Sequence, residues 1–343
     1  MFKKVQITLR RALRSIVARA SKARRRLYNN RPHRSFKRTY RRDYRAQVSL
    51  PGYIHFTGIV LKALALNKRT FGLLLVTYAS VMFILGGVTS QATYTQIADL
   101  FTQSSGTEYT SDNSLVQGGL LLAATFFSGP SSLTADQQIY LGFTLLLVWL
   151  TTVWLHREYL LGRKPKLRDG LYNSGAPVVS SIVVLMFAVF QLIPIGIVAL
   201  VYSGLQSVGI LSEGFSLMLF MLFALAVTVL SLYWLTSTFI AFAVVTLPGM
   251  YPYRAIRIAG DIVIGRRLPI LFRLLWAQLL VILTWAVIFI PLILLYTWAS
   301  DFIVWLDDVP VLPIIASALS AATIIWGASY IYLLYRRIVD DAA

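Results

Sequence analysis

The sequence contains no cysteine. Disulfide bonds, cysteine-ligated zinc, iron–sulfur clusters and thiol catalysis are therefore excluded. Charged residues are also scarce: they make up 13% of the 343 residues, whereas an average soluble protein has about 25%. Hydrophobic residues account for 57% of the chain. This composition is typical of an integral membrane protein.

Acidic residues are few, with 14 Asp and Glu against 32 Lys and Arg, and the excess of positive charge is concentrated near the N-terminus. Seventeen of the basic residues lie before residue 46, where Asp43 is the one acid. The rest of the chain has fifteen basic and thirteen acidic residues. The sequence is therefore a strongly basic tail joined to a nearly neutral body.

The body contains six long apolar stretches, each with about the 20 residues that a helix needs to cross a bilayer. They are residues 70–90, 138–156, 177–202, 215–246, 270–298 and 313–335. The pattern predicts an all-α, polytopic membrane bundle of about six transmembrane helices over residues 70–338. Small residues in the last span, including Ser317 and Ala321, favour close helix packing within the chain.

The distribution of basic residues predicts how these spans are oriented. Beyond residue 69, all Lys and Arg fall in residues 157–168, 254–273 and 336–337, which lie on one side of the predicted spans. The segments on the other side contain eight acids and no basic residue; they are 91–137, 203–214 and 299–312. Because basic loops stay in the cytoplasm, both termini are predicted to be cytoplasmic.

Residues 115–129 form a seventh apolar stretch, which is too short to span. Its apolar part would rise only about 21 Å as a helix, compared with about 30 Å for the hydrocarbon core. Counting it as a span would also place the basic segment 157–168 outside the cell. We therefore predict a re-entrant or interfacial segment on the outer face.

The basic tail, residues 1–48, is predicted to begin as an amphipathic helix and to continue as a disordered segment after Tyr28. Such a helix is expected to lie on an anionic membrane surface, so anionic phospholipids are the expected partner. The predicted headgroup contacts in the tail are Arg10, Arg11, Arg14, Arg24, Arg25 and Arg26. Binding of the tail to nucleic acid, to the ribosome or to a membrane protein partner remains an alternative.

Two shorter stretches are predicted to lie in the membrane interface on the cytoplasmic side. Residues 49–69 form an apolar run that is too short to span and is flanked by basic residues. Residues 251–268 follow the helix-breaking sequence at Pro248 and form an elbow helix between two spans. Arg266 and Arg267, which close that elbow, are predicted to contact lipid headgroups.

No catalytic, cofactor-binding or metal-binding residue is predicted. The three histidines are far apart in the sequence, and phosphate-binding and nucleophile-elbow motifs do not occur. The span interiors lack charged residues, apart from Arg273 at the start of the fifth. Uncharged features of the third and fifth spans, Gln191, Pro194 and Gln278, are the candidates for a solute path.

Three segments carry a resemblance to a known family: RRDYRAQVSLPGYIHFTGIVLKALALNKRTFG, the region 167–204, and LSLYWLTSTFIAFAVVTLPGMYP. They resemble a family of uncharacterised multispanning membrane proteins of candidate-phyla, Saccharibacteria-like bacteria. Residues 246–290 are more loosely similar to the membrane domains attached to some glycerophosphodiester phosphodiesterases. The resemblance implies a bacterial inner-membrane protein and supplies no catalytic residues.

Three functional hypotheses follow from the sequence. The preferred one is a non-enzymatic inner-membrane protein that organises lipid or a membrane complex, with a protein partner or a second copy of the chain as a further partner. The second is a permease or transport-system subunit for a neutral or lipid-like solute. The third is an insertase-like factor with a ribosome-binding tail, for which no buried positive charge is evident in the sequence.

Overall fold

The computed structural model describes residues 51–87, 134–209, 214–300, Phe302 and 309–340. Regular secondary structure in these residues is helical. The helices are α1 (Tyr53–Leu66), α2 (Lys68–Met82, continued by a π-helical turn at Phe83–Gly87), α3 (Ala135–Leu160), α4 (Leu167–Asn173), α5 (Val178–Ser207), α6 (Gly214–Val244), α7 (Pro252–Val263), α8 (Arg267–Ser300) and α9 (Val311–Asp340).

Six helices in the described part of the chain are long and apolar enough to cross a membrane: α2 with its π-helical turn, α3, α5, α6, α8 and α9. Each overlaps one of the six predicted stretches. The prediction of an all-α polytopic bundle is confirmed, and the chain is a multi-pass membrane protein. The predicted tail and the predicted outer segment 115–129 lie outside the described residues.

Local sequence fixes the ends of α3. At its start, the Thr134 hydroxyl accepts a hydrogen bond from the Gln137 backbone N–H at 3.4 Å, and the Gln137 side chain accepts one from Thr134 N–H at 3.0 Å. At its end, Gly162 adopts a φ of 74°, which a residue with a side chain rarely adopts. Arg163 N–H can then reach Glu158 O at 3.1 Å, which completes a Schellman turn.

The last helix, α9, is the centre of the bundle, because it packs against α1, α2, α3, α6 and α8. Its small residues allow this close approach. Ala321 is fully buried in a cluster with Leu74 of α2 and Val148 of α3. The small residues of the last span thus serve packing within the chain, as the sequence indicated.

Most of the tightly packed core lies at one end of the bundle, where α3, α6 and α9 end and α5 and α8 begin. The main cluster there combines side chains of α1, α3, α5, α6, α7, α8 and α9, among them Val153, Ile240, Ala259 and Tyr330. The basic segments 157–168, 254–273 and 336–337 belong to the same end. We call it the basic end.

Away from the basic end, the packing is less extensive, although α2, α3 and α9 share the cluster that contains Ala321. A further cluster, with Phe289 and Leu312, joins α8 to α9. The buried side chains of α5 all lie in its first half, at or before Ala188, and those of α6 in its second half, from Ser231 onward. The far half of the α5–α6 pair therefore exposes apolar side chains, which in a membrane are available to lipid.

Hydrogen bonds between helices follow a recurring arrangement. The Ser329 hydroxyl donates to Ile325 O one turn earlier and accepts from His156 Nε2 of α3 at 2.7 Å. In the same way Thr323 of α9 accepts from the Trp285 ring N–H of α8 at 3.0 Å. Such bonds contribute about 0.6 kcal/mol each on average in membrane proteins. They fix the rotation of neighbouring helices more than they stabilise the bundle.

Candidate functional site

A cavity of about 420 Å³ lies at the basic end, between α3, the connection from α4 to α5 and the connection from α6 to α7. Its volume is in the range of small-ligand sites. Apolar walls come from residues such as Leu150 and Val245, and aromatic ones from Trp154 and Tyr251. The polar lining includes Asn173, Ser180 and Arg157, and Arg157 is the one charged residue among the described residues of the lining.

Arg157 is held in place from two sides. Its Nη1 donates to Thr246 O at 3.0 Å, and its Nε lies 3.6 Å from Glu158 Oε1. The other Glu158 oxygen accepts from Arg163 Nη1 at 2.9 Å. The side chain of Arg157 is 21% exposed, so it is positioned by the protein but still reachable from the cavity. These contacts leave part of its five-donor guanidinium available to a further acceptor.

Another wall of the cavity is formed by the turn between α6 and α7, which contacts Arg157. Gly249 has a φ of 70°, a left-handed conformation in which a side chain would be strained. Pro252 at the first turn of α7 then fixes where that helix begins. This turn brings the Thr246 carbonyl to Arg157 and lines the cavity with Tyr251.

The short helix α4 forms another wall and packs unusually close to α3. Gly170 of α4 is buried, and a Cβ placed on it would lie 3.2 Å from Leu155 Cδ2 and 3.3 Å from Thr151 Cγ2. Both neighbours are fully buried. The close approach positions Asn173 and Ser174, which end α4 and line the cavity.

We expect Gly170→Ala to lower the stability of the protein. Overpacking costs about 1–3 kcal/mol, which exceeds the roughly 0.5–1 kcal/mol gained when alanine replaces glycine in a helix. The net loss should be about 1 kcal/mol, measured as the unfolding temperature in mild detergent. The control is Gly58→Ala in α1, where nothing lies within 4 Å of the new methyl group. A Gly170→Ala variant at least as stable as this control would contradict the close packing of α4 on α3.

The same end of the bundle buries positive charge, which the sequence did not indicate. Arg273, in the second turn of α8, is 5% exposed. Its Nη2 donates to Pro51 O, and its guanidinium lies over the rings of Tyr53 at 5.1 Å and Phe56 at 5.8 Å. Both ion pairs seen in the described residues are made by Glu158, so neither involves Arg273.

The two arginines predicted to contact headgroups from the elbow have different surroundings. Arg266 is 5% exposed and therefore lies inside the fold. Arg267 is half-buried, with its guanidinium 5.1 Å above the ring of Tyr233 in α6. Of this pair, Arg267 is the residue with access to a lipid surface. The six tail arginines predicted to contact lipid lie outside the described residues.

The three residues predicted to form a solute path do not line the cavity at the basic end. The Gln191 side chain accepts a hydrogen bond from Thr238 Oγ1 of α6 at 2.7 Å. Pro194 is half-buried within α5, which remains one continuous helix through it. Gln278 of α8 is exposed. The hydrogen bond of Gln191 joins α5 to α6, which is a packing role.

Comparison of the chain with protein families, with curated proteins and with solved structures gives no match. The sequence did not indicate that Trp154, Arg157 and Tyr251 belong to one site. The available signals were the turn sequence LPGMYP and a charged pair, Arg157 and Glu158, at the end of an apolar stretch. Within the described residues, no group of three or more His, Asp or Glu side chains is placed to hold a metal ion.

Proposed function

We propose that the chain is a non-enzymatic protein of the bacterial inner membrane that organises anionic lipid, with its basic end on the cytoplasmic side. The observation that carries this proposal is the position of the cavity. It lies at the basic end, where several spans begin or end and Arg157 is available. In a bilayer, the ends of spanning helices are the level of the lipid headgroups.

The charge of this end supports the same reading. Residues 157–169 contain five basic residues and two acids, and α7 adds Arg254 and Arg257, both exposed. Each basic residue near an anionic leaflet contributes about 1 kcal/mol of attraction. The basic tail, whose seventeen Lys and Arg precede residue 46, would add to this attraction from the same side of the membrane.

A solute path through the third and fifth spans has less support. Gln191 is engaged by Thr238, and Gln278 lies on an exposed face, so neither lines the cavity described above. The resemblance to membrane proteins of candidate-phyla bacteria is consistent with an inner-membrane location and with the absence of a predicted catalytic group. The buried Arg273 is not part of a hydrophilic groove; it is covered by α1.

The proposal is tested by purifying the protein in a mild detergent and measuring the phospholipids that remain bound. We expect anionic phospholipids to be enriched relative to the total lipid of the same membrane. Retained lipid with the composition of the bulk membrane would refute the proposal.

Orientation is tested separately with single cysteines, since the chain has none of its own. Leu161→Cys lies at the basic end and Ser207→Cys at the opposite end, and both positions are exposed. An impermeant thiol reagent applied to intact cells is expected to label Ser207→Cys and to spare Leu161→Cys. The reverse pattern would place the basic end outside.

A further inference from the structure

The cavity at the basic end offers the chemistry of a phosphate site. A guanidinium presents its N–H donors in a plane that matches two phosphate oxygens, and this geometry makes arginine a preferred phosphate ligand. Arg157 is pre-positioned by Thr246 O and Glu158, so little freedom is lost when an anion binds. Its remaining donors are the strongest hydrogen-bonding groups in the cavity lining.

The rest of the lining suits the parts of a lipid that flank its phosphate. Ser180 and Asn173 provide a hydroxyl and an amide for a polar headgroup. The part-buried side chains of Trp154, Leu247 and Met250 provide apolar surface for the glycerol and the first acyl carbons. Exposed basic residues at 163, 164, 166 and 168 lie at the same end of the bundle but outside the cavity lining, so they add a general attraction for anions. A free inorganic anion would use the charge but not the apolar wall.

We propose that this cavity binds the phosphate of an anionic phospholipid headgroup, with Arg157 as its main ligand. The proposal rests on the proposed function and adds to it a defined site in the membrane domain, distinct from the predicted contacts of the basic tail. Binding at such a site would hold one lipid between α3, the start of α5 and the start of α7. The lipid would then add to the hydrogen bond between Arg157 and Thr246, which joins α3 to the turn before α7.

The test uses native mass spectrometry of the full-length protein titrated with phosphatidylglycerol. We expect Arg157→Gln to weaken the tightest binding event about tenfold, because a hydrogen bond to a charged group contributes about 1.5–3 kcal/mol. The matched control is Arg168→Gln, which removes the same charge from an exposed position that does not line the cavity. We expect less than a twofold change for this control.

Because Arg157 also donates a hydrogen bond to Thr246 O, Arg157→Gln could weaken binding by destabilising the fold. A second variant therefore tests the site without changing Arg157. Ser180→Leu narrows the cavity and leaves Arg157 in place, so it should weaken the same binding event while the unfolding temperature stays near that of the wild type. Unchanged affinity in both Arg157→Gln and Ser180→Leu would overturn the site. Equal weakening by Arg157→Gln and Arg168→Gln would also overturn it, since only overall charge would then matter.

Two further measurements are needed. One distinguishes a lipid phosphate from free inorganic phosphate, and the other distinguishes failure of the cavity site from failure of the proposed function. Phosphatidylcholine should bind more weakly than phosphatidylglycerol, and millimolar inorganic phosphate should not displace the lipid; displacement would overturn the assignment to a lipid. If the wild type retains anionic lipid and the Arg157→Gln variant retains it equally well, the cavity site is refuted and the proposed function stands. A wild-type protein that retains no anionic lipid would refute the proposed function itself.

Discussion

Phe56→Ala is expected to release α1 from the bundle. The Phe56 ring is 2% exposed and meets the Tyr330 ring of α9 edge to face, with the ring centroids 4.9 Å apart. It also covers the guanidinium of Arg273. Removing a buried phenyl group costs about 3–5 kcal/mol. Since α1 is short and is held mainly by its buried side chains Phe56 and Val60, this loss should appear first as local detachment of α1.

The measurement uses the reactivity of one cysteine introduced by Val60→Cys, a position that is fully buried. We expect Phe56→Ala to raise its labelling rate about 100-fold, which corresponds to a loss of about 3 kcal/mol in the free energy that closes α1. The control is Ile54→Ala in the same helix, where the Ile54 side chain is 78% exposed. This substitution should leave the labelling rate nearly unchanged. Similar rates in both variants would mean that α1 lies on the membrane surface and is not docked on α9.

Arg273→Glu is expected to have the other large effect, and to destabilise the whole basic end. The substitution would place a carboxylate against the Pro51 carbonyl and over two aromatic faces, all of which repel negative charge. An uncompensated buried charge costs about 3–5 kcal/mol. The unfolding temperature in detergent should fall by several degrees, and the yield of monodisperse protein should fall with it.

The matched control is Arg257→Glu, which makes the same charge change on the exposed side of α7 and should have little effect. If Arg273→Glu gives no folded protein, Arg273→Lys provides a graded test. Lysine keeps the charge but loses the planar group that contacts both rings and the carbonyl, so a smaller loss of about 1 kcal/mol is expected. Equal stability of the Arg273→Glu and Arg257→Glu proteins would contradict the burial of Arg273.

The number and the approximate limits of the spans could be predicted because they depend on composition alone. A stretch such as 215–246 has no charged residue, and it exceeds the roughly 20 residues that a span requires, whatever its neighbours are. Local turn chemistry was also readable, since Pro248 and Gly249 mark a break and the helices on either side, α6 and α7, are separated there.

The candidate site could not be predicted, because it depends on contacts between residues far apart in the chain. Arg157 and Thr246 are 89 residues apart, and nothing in either local sequence indicates that they meet. Arg273 was read as a residue at the start of a span, yet the docking of α1 buries it. Hydropathy identifies apolar helices but does not indicate which helices pack together or which side chains they bury. The helix contacts and the burial of Arg273 therefore had to come from the structure.

The position of α9 has a consequence for how the protein is made. The helix that contacts α1, α2, α3, α6 and α8 is the last of the described helices to be synthesised. Earlier pairs such as α5 and α6 can associate as they leave the ribosome. Leu74 of α2 and Val148 of α3, however, would stay exposed to lipid until α9 is inserted and Ala321 packs against them. A nascent chain arrested before residue 311 should therefore be inserted but unassembled, and a substrate for membrane proteases.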